Sequence, residues 1–219
     1  MDLTLVLTLG TPLLIIAAIV KSDKFPEPTE LVIKTFFVGV LLCLPAGELN
    51  HLLIPSDEYS FIAGFTEESL KFLALYFYIK PKKSFNEPMD AIVYGTIISL
   101  GFATLENIEY VYSSDPELSS LAIAVIRAIS AIPLHAICGI VMGYFFGLYA
   151  FSSSGSKILL IKSLVIPILI HATYNFLVGV SDVLWFFVLL AAMFYARSLH
   201  LKLSTLQNEK KFEAERKVS

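Results

Sequence analysis

The chain has 219 residues, 56% of them hydrophobic and 16% charged, with a mean hydropathy of +0.74 and a formal net charge of −3. Soluble domains run at roughly 45–50% apolar and about 25% charged, so this balance excludes an ordinary globular domain and fits a polytopic helical membrane protein in a lipid bilayer. The basic residues form no patch with interleaved aromatics, which removes nucleic acid as a partner, and Cys43 and Cys138 lie in apolar runs and read as packed free thiols.

The first stretch, MDLTLVLTLGTPLLIIAAIV, lacks a positive leading region and a clear cleavage site before Lys21, so it reads as a retained first span. Further runs of spanning length follow, giving expected spans at about 3–20, 31–54, 61–79, 89–112, 118–150, 158–180 and 183–203. The fifth run is too long for one upright helix; either its first residues lie outside the apolar core or Pro133 kinks it. The connections alternate in sign. Lys21 and Lys24, then Lys80, Lys82 and Lys83, then Lys157 and Lys162, mark every second loop, whereas Asp57 and Glu58, Asp115 and Glu117, and Asp182 mark the others. The tail carries Arg197, Lys202, Lys210, Lys211, Arg216 and Lys217. Because Lys and Arg bias loops toward the cytoplasm, the expected topology is N-terminus out and C-terminus in. The expected fold class is all-α: a polytopic transmembrane helical bundle of about seven spans, with eight as the alternative. Residues 1–203 read as one integral-membrane domain and 204–219 as a polar cytoplasmic tail.

Within the third span, FTEESLKFLALYF places Glu67, Glu68 and Lys71 in an apolar, aromatic run. A charge at mid-bilayer costs at least about 2.5–3.5 kcal/mol on insertion scales, so three such groups need a reason. Lys71 is i+4 from Glu67 and i+3 from Glu68, within reach of both. Glu106 in span four, and His171 and Asn175 in span six, fall about 5–14 Å beneath the outer surface together with the doublet, at 1.5 Å per residue; His135 in span five comes out deeper. Phe102 shares a helix face with Glu106, and His171 with Asn175. These groups avoid lipid if they face one another around a wet cavity. Arg127 and Lys71 are alternative structural partners for Glu106, and Glu48 and His51 lie near the outer end of span two, where headgroups are an equal explanation. Gly139, Gly143 and Gly147 have the small-xxx-small spacing of close helix packing.

A glutamate between apolar walls and a lysine can act as a general base on water. His171 and Asn175, one turn apart, are placed to donate hydrogen bonds to a developing oxyanion, and His135 to orient the water or serve the leaving amine. Ser69 lacks the GxSxG setting of a nucleophile. HExxH is also absent, so the expectation is a site without a metal or other cofactor, with zinc as the alternative. A proton-coupled transporter would use similar residues, but the polar layer lies on one side and no inverted repeat is evident. A scaffold with a decayed site is a third reading, against which the complete set of polar groups speaks.

Four motifs occur in order, each on its own expected helix: EESLK at Glu67–Lys71, FATLEN at Phe102–Asn107, Arg127 followed by PLHAICG around His135, and HATYN at His171–Asn175. Together they resemble the PrsW family of intramembrane proteases, in the wider CPBP group that includes the CAAX prenyl endopeptidases. The resemblance implies a glutamate-dependent peptidase with Glu67 as base, Glu68 and Lys71 supporting it, and Glu106, His135, His171 and Asn175 completing the site; Arg127, Phe102 and Asn107 support these. The doublet's spacing alone leaves open which glutamate is the base. The CAAX enzymes typically carry EExxxR and a histidine where this chain has Glu106, so the departure favours the PrsW branch over a prenylated substrate. The branch further implies a bacterial plasma-membrane enzyme that cuts a single-span protein such as an anti-sigma factor on its extracytoplasmic side.

Overall fold

The computed structural model describes residues 2–113, 118–152 and 156–218, with side chains as far as Glu209; the acidic loop residues Asp115 and Glu117 and the side chains of Lys210, Lys211, Arg216 and Lys217 lie outside the described residues. Among the described residues there is no strand. The helices are α1 (Leu3–Ser22), α2 (Thr29–Leu53), α3 (Ile62–Ala74, continued by a π-helical turn, Leu75–Ile79), α4 (Pro88–Tyr112), α5 (Ser120–Ile129), α6 (Ala131–Phe151), α7 (Lys157–Val180) and α8 (Leu184–Val218).

Among the described residues six units are long and apolar enough to cross a membrane: α1, α2, α4, the α5–α6 unit, α7 and α8 as far as Glu209. The segment expected at 61–79 is the exception, because Glu67, Glu68 and Lys71 fall within the 13 residues of α3. That helix is held among the others by packing on α7 and α2. α8 continues without a break through the boundary expected at residue 203.

α4 is the central post. From Ala91 to Leu105 its chain is apolar or small on every side, as a helix stretch enclosed on all faces must be, and it packs chiefly on α6, then on α2 and α1. Pro88 opens it at a position where a missing N–H costs nothing, and Asp90 accepts the Glu87 N–H at 2.8 Å. The glycine row of α6 lies against it: a Cβ on Gly139 would fall 2.7 Å from the Gly95 carbonyl oxygen, and Cβ atoms on Gly143 and Gly147 would overlap the carbonyls of Ala91 and Pro88. The expected small-residue packing is thus an α4–α6 contact with backbones nearly touching. Cys43 and Cys138 are buried free thiols.

The long fifth run divides at Ser130, which leaves helical geometry at φ −128° and ψ −77°. Pro133 has no N–H for the Ile129 carbonyl, so the ladder opens there. The break has a consequence for the polar layer. His135 lies four residues into α6, about 6 Å from its start, and so joins the level of the others instead of lying deeper.

Candidate active site

α3 and α7 approach closely at one glycine: a Cβ on Gly64 would sit 2.6 Å from the Ala172 nitrogen. This contact brings the α3 turn carrying Glu67 and Glu68 against the α7 turn carrying His171. His171 Nδ1 lies 2.9 Å from Glu68 Oε1. The Lys71 ammonium, wholly buried, donates to Glu68 Oε1 at 2.8 Å and to Glu67 Oε2 at 3.4 Å, and lies 4.1 Å from the centre of the Phe102 ring. It also lies 3.0 Å from His135 Nδ1. An ammonium only donates, so His135 Nδ1 is the acceptor and its proton sits on Nε2, 3.0 Å from Glu106 Oε2. Both His135 nitrogens are therefore taken by protein partners. The ring is a strut between Lys71 and Glu106, with none left over for a water or a leaving amine.

Glu106 also accepts from Arg127 Nη2 at 2.5 Å, and Arg127 Nε donates to Asn107 Oδ1 at 2.7 Å. Asn107 in turn donates to the Thr8 carbonyl of α1 at 2.9 Å. Asn175 donates to the Ser60 carbonyl at 3.2 Å, which uses one of its two amide hydrogens.

A cavity of about 490 Å³ opens beside this cluster, and Glu67, Phe102, Glu106, Arg127, His135, His171 and Asn175 all line it. Glu68, Lys71 and Asn107 do not; they are fully buried behind its wall. The site residues singled out in the sequence thus gather in one place, in two layers. The doublet is split by position: Glu67 faces the cavity, and Glu68 faces Lys71 and His171.

The sequence passed over Asn50. From α2 its amide donates to Glu67 Oε1 at 3.2 Å, and its carbonyl accepts from Thr66. Glu48 and His51, its more conspicuous neighbours, are exposed on α2. The available signal was helical phase: Cys43, Gly47, Asn50 and Ile54 recur every three or four residues and all line the cavity.

Charge accounting separates the carboxylates. Three of them, Glu67, Glu68 and Glu106, meet two cations, Lys71 and Arg127. Glu106 has the 2.5 Å contact to Arg127 and Glu68 the 2.8 Å contact to Lys71. Glu67, at 3.4 Å from the shared Lys71 and steadied by a neutral amide, has the weakest counter-charge.

A metal fits the donor types but not their arrangement. One ligand atom each from Glu67, Glu68, His135 and His171 lie within 4.8 Å of one another, and carboxylate with imidazole is a zinc donor set. The Lys71 ammonium already occupies that space, bonded to three of the four. A divalent ion there would confront a buried positive charge.

Membrane-crossing helices enclosing a buried carboxylate, imidazole and amide cluster beside a cavity define a polytopic membrane protein with an acid–base site. The sequence profile described as "PrsW family intramembrane metalloprotease" matches residues 27–198. The chain is 36% identical over 184 residues to "Protease PrsW" of Bacillus subtilis (strain 168), covering 80% of this chain and 81% of that protein. It is 33% identical over 204 residues to "Protease PrsW" of Clostridioides difficile (strain 630), covering 87% and 85%, and 33% identical over 164 residues to that of Geobacillus kaustophilus (strain HTA426), covering 72% and 71%. No solved structure matches. The chain belongs to the PrsW family of intramembrane proteases, and is a multi-pass bacterial membrane protein.

Proposed function

We propose that this peptidase hydrolyses a peptide bond of a single-span membrane protein by glutamate-activated water, with Glu67 as the base. One observation carries this reading: Glu67 is the member of the doublet that lines the cavity, and it has the weakest counter-charge there. Water bound at Glu67 loses a proton to it and attacks the substrate carbonyl carbon. The carbonyl oxygen becomes an oxyanion, which receives the second amide hydrogen of Asn175. Glu67 returns the proton to the amide nitrogen, and the carbon–nitrogen bond breaks. His171, with Nδ1 committed to Glu68, offers Nε2 to the cavity, where it accepts the second hydrogen of the water and fixes its direction. Lys71, His135, Glu106 and Arg127 hold the charges in place, and Asn50 holds Glu67.

The alternating lysines support an outside N-terminus and inside C-terminus. With that orientation the cavity opens toward the extracytoplasmic face. A membrane-anchored regulatory protein of the anti-sigma-factor kind is the proposed substrate, since its cut would fall at that level. A metal-dependent variant of the same reaction is favoured by the four donors within 4.8 Å and disfavoured by Lys71. The two separate experimentally. Purified protein in liposomes, stripped with a chelator and free of stoichiometric metal, should retain cleavage of a single-span substrate, whereas His171→Ala should abolish it while still inserting. Loss of activity on chelation, restored by zinc, would replace the glutamate reading with the metal one; full activity in His171→Ala would refute both.

A further inference from the structure

At the opposite end of α4 from the cavity, roughly 24 Å from Glu106 along the helix, a second set of acids comes together. Asp23 and Glu27 come from the α1–α2 connection, and Asp90 from the first turn of α4. One oxygen from each lies within 4.8 Å of the other two. Asp23 and Asp90 are 6% and 0% exposed. Among the described residues no lysine or arginine is ion-paired with any of the three.

Hydrogen bonding uses only part of what these groups offer. Asp90 Oδ2 accepts the N–H groups of Asn86 and Glu87 at 2.7 and 2.8 Å. Asp23 Oδ1 accepts the Phe25 N–H at 3.0 Å and the Gln207 amide at 2.7 Å. Tyr94 donates to Glu27, and Gln207 also to Glu87. The remaining oxygens, Asp23 Oδ2 and Asp90 Oδ1, are buried and have no hydrogen-bond partner among the described residues. Glu27 and Asp90 each bring a carboxylate oxygen within 4.8 Å of the other, and neither has a proton to donate when ionised. Buried, unpaired carboxylate oxygens are costly unless something positive lies beside them.

We propose that Asp23, Glu27 and Asp90 bind a hard divalent cation, calcium by preference, which ties α8 to the α1–α2 connection and to the start of α4. The donors are all oxygen, the preference of hard cations. Calcium accepts a full set of protein oxygens in flexible geometry, whereas magnesium keeps several waters and takes one or two carboxylates; three carboxylates gathered within 4.8 Å of one another favour calcium. Gln207 extends the effect to α8, because its amide bridges Asp23 and Glu87. The site is independent of the proposed peptidase chemistry, and α4 is the element common to both.

The test uses the full-length protein in neutral lipid nanodiscs, with calcium or magnesium as the probe. Calcium at about 100-fold over its Kd should raise the Tm by about 5–10 °C, magnesium by less, and Asp23→Asn should lose the calcium response while Glu67→Gln keeps it. Terbium, a calcium mimic, gives a readout needing no carboxylate variant: it should show emission sensitised by Tyr94, displaced by calcium and lost in Tyr94→Phe. A wild-type Tm indifferent to calcium, with no sensitised terbium emission, would overturn the proposal in favour of a proton shared between Glu27 and Asp90. A calcium response that survives in Asp23→Asn would overturn it as well, by locating the ion elsewhere.

Discussion

The two ends of α4 solve the same problem differently. Both gather three carboxylates that are wholly or partly buried. At the cavity end Lys71 and Arg127 supply two positive charges from within the described chain, and hydrogen bonds link them to histidine and asparagine. At the other end Asp23, Glu27 and Asp90 are met by a tyrosine, a glutamine and backbone N–H groups, all neutral. The first cluster is nearly balanced, with one carboxylate in excess at the cavity wall, which suits a group that must gain and lose a proton. The second has buried oxygens without partners, which suits a site completed by a cation.

Changes that unbalance the first cluster sharpen the contrast. Lys71→Met leaves Glu67 and Glu68 buried without their cation and should destabilise by about 3–5 kcal/mol; a lower Tm in detergent is the measurement. The double variant Lys71→Met with Glu68→Gln should recover part of that loss, because the most deeply buried charge goes too. Asn107→Leu cuts the link from Arg127 to the Thr8 carbonyl and should cost about 1–3 kcal/mol. Asn50→Ala should leave the fold nearly intact and lower single-turnover cleavage about tenfold, as expected when a hydrogen bond to a charged group worth about 1.5 kcal/mol is lost. At the small end, Glu48→Ala and His51→Ala, both exposed, should change stability by less than about 0.5 kcal/mol and leave cleavage unchanged.

The difference between the clusters also explains what could be read from the sequence. Glu67, Glu68 and Lys71 share one helix at i+3 and i+4, so their pairing is a property of local spacing. Glu106 with Phe102, and His171 with Asn175, follow the same rule, which is why the polar layer was visible before any coordinates. His135 needed the break at Ser130 to reach that layer, and Pro133 marked a break without fixing where the second helix would start. Asn50 was hidden because an asparagine beside two charged residues has no signal of its own; only its phase with Cys43, Gly47 and Ile54 betrays it. The second cluster had no local pattern at all. Asp23, Asp90 and Gln207 are brought together by the packing of three distant segments.

In the proposed mechanism Glu67 is the group that takes the proton from water. The most direct measurement is single-turnover cleavage of a reconstituted single-span substrate by Glu67→Gln, beside wild type, with metal chelated and insertion verified. The expected outcome is a fall of about 10²–10⁴-fold with little change in Tm, since Lys71 keeps its contact with Glu68. Wild-type cleavage rates in Glu67→Gln would contradict it.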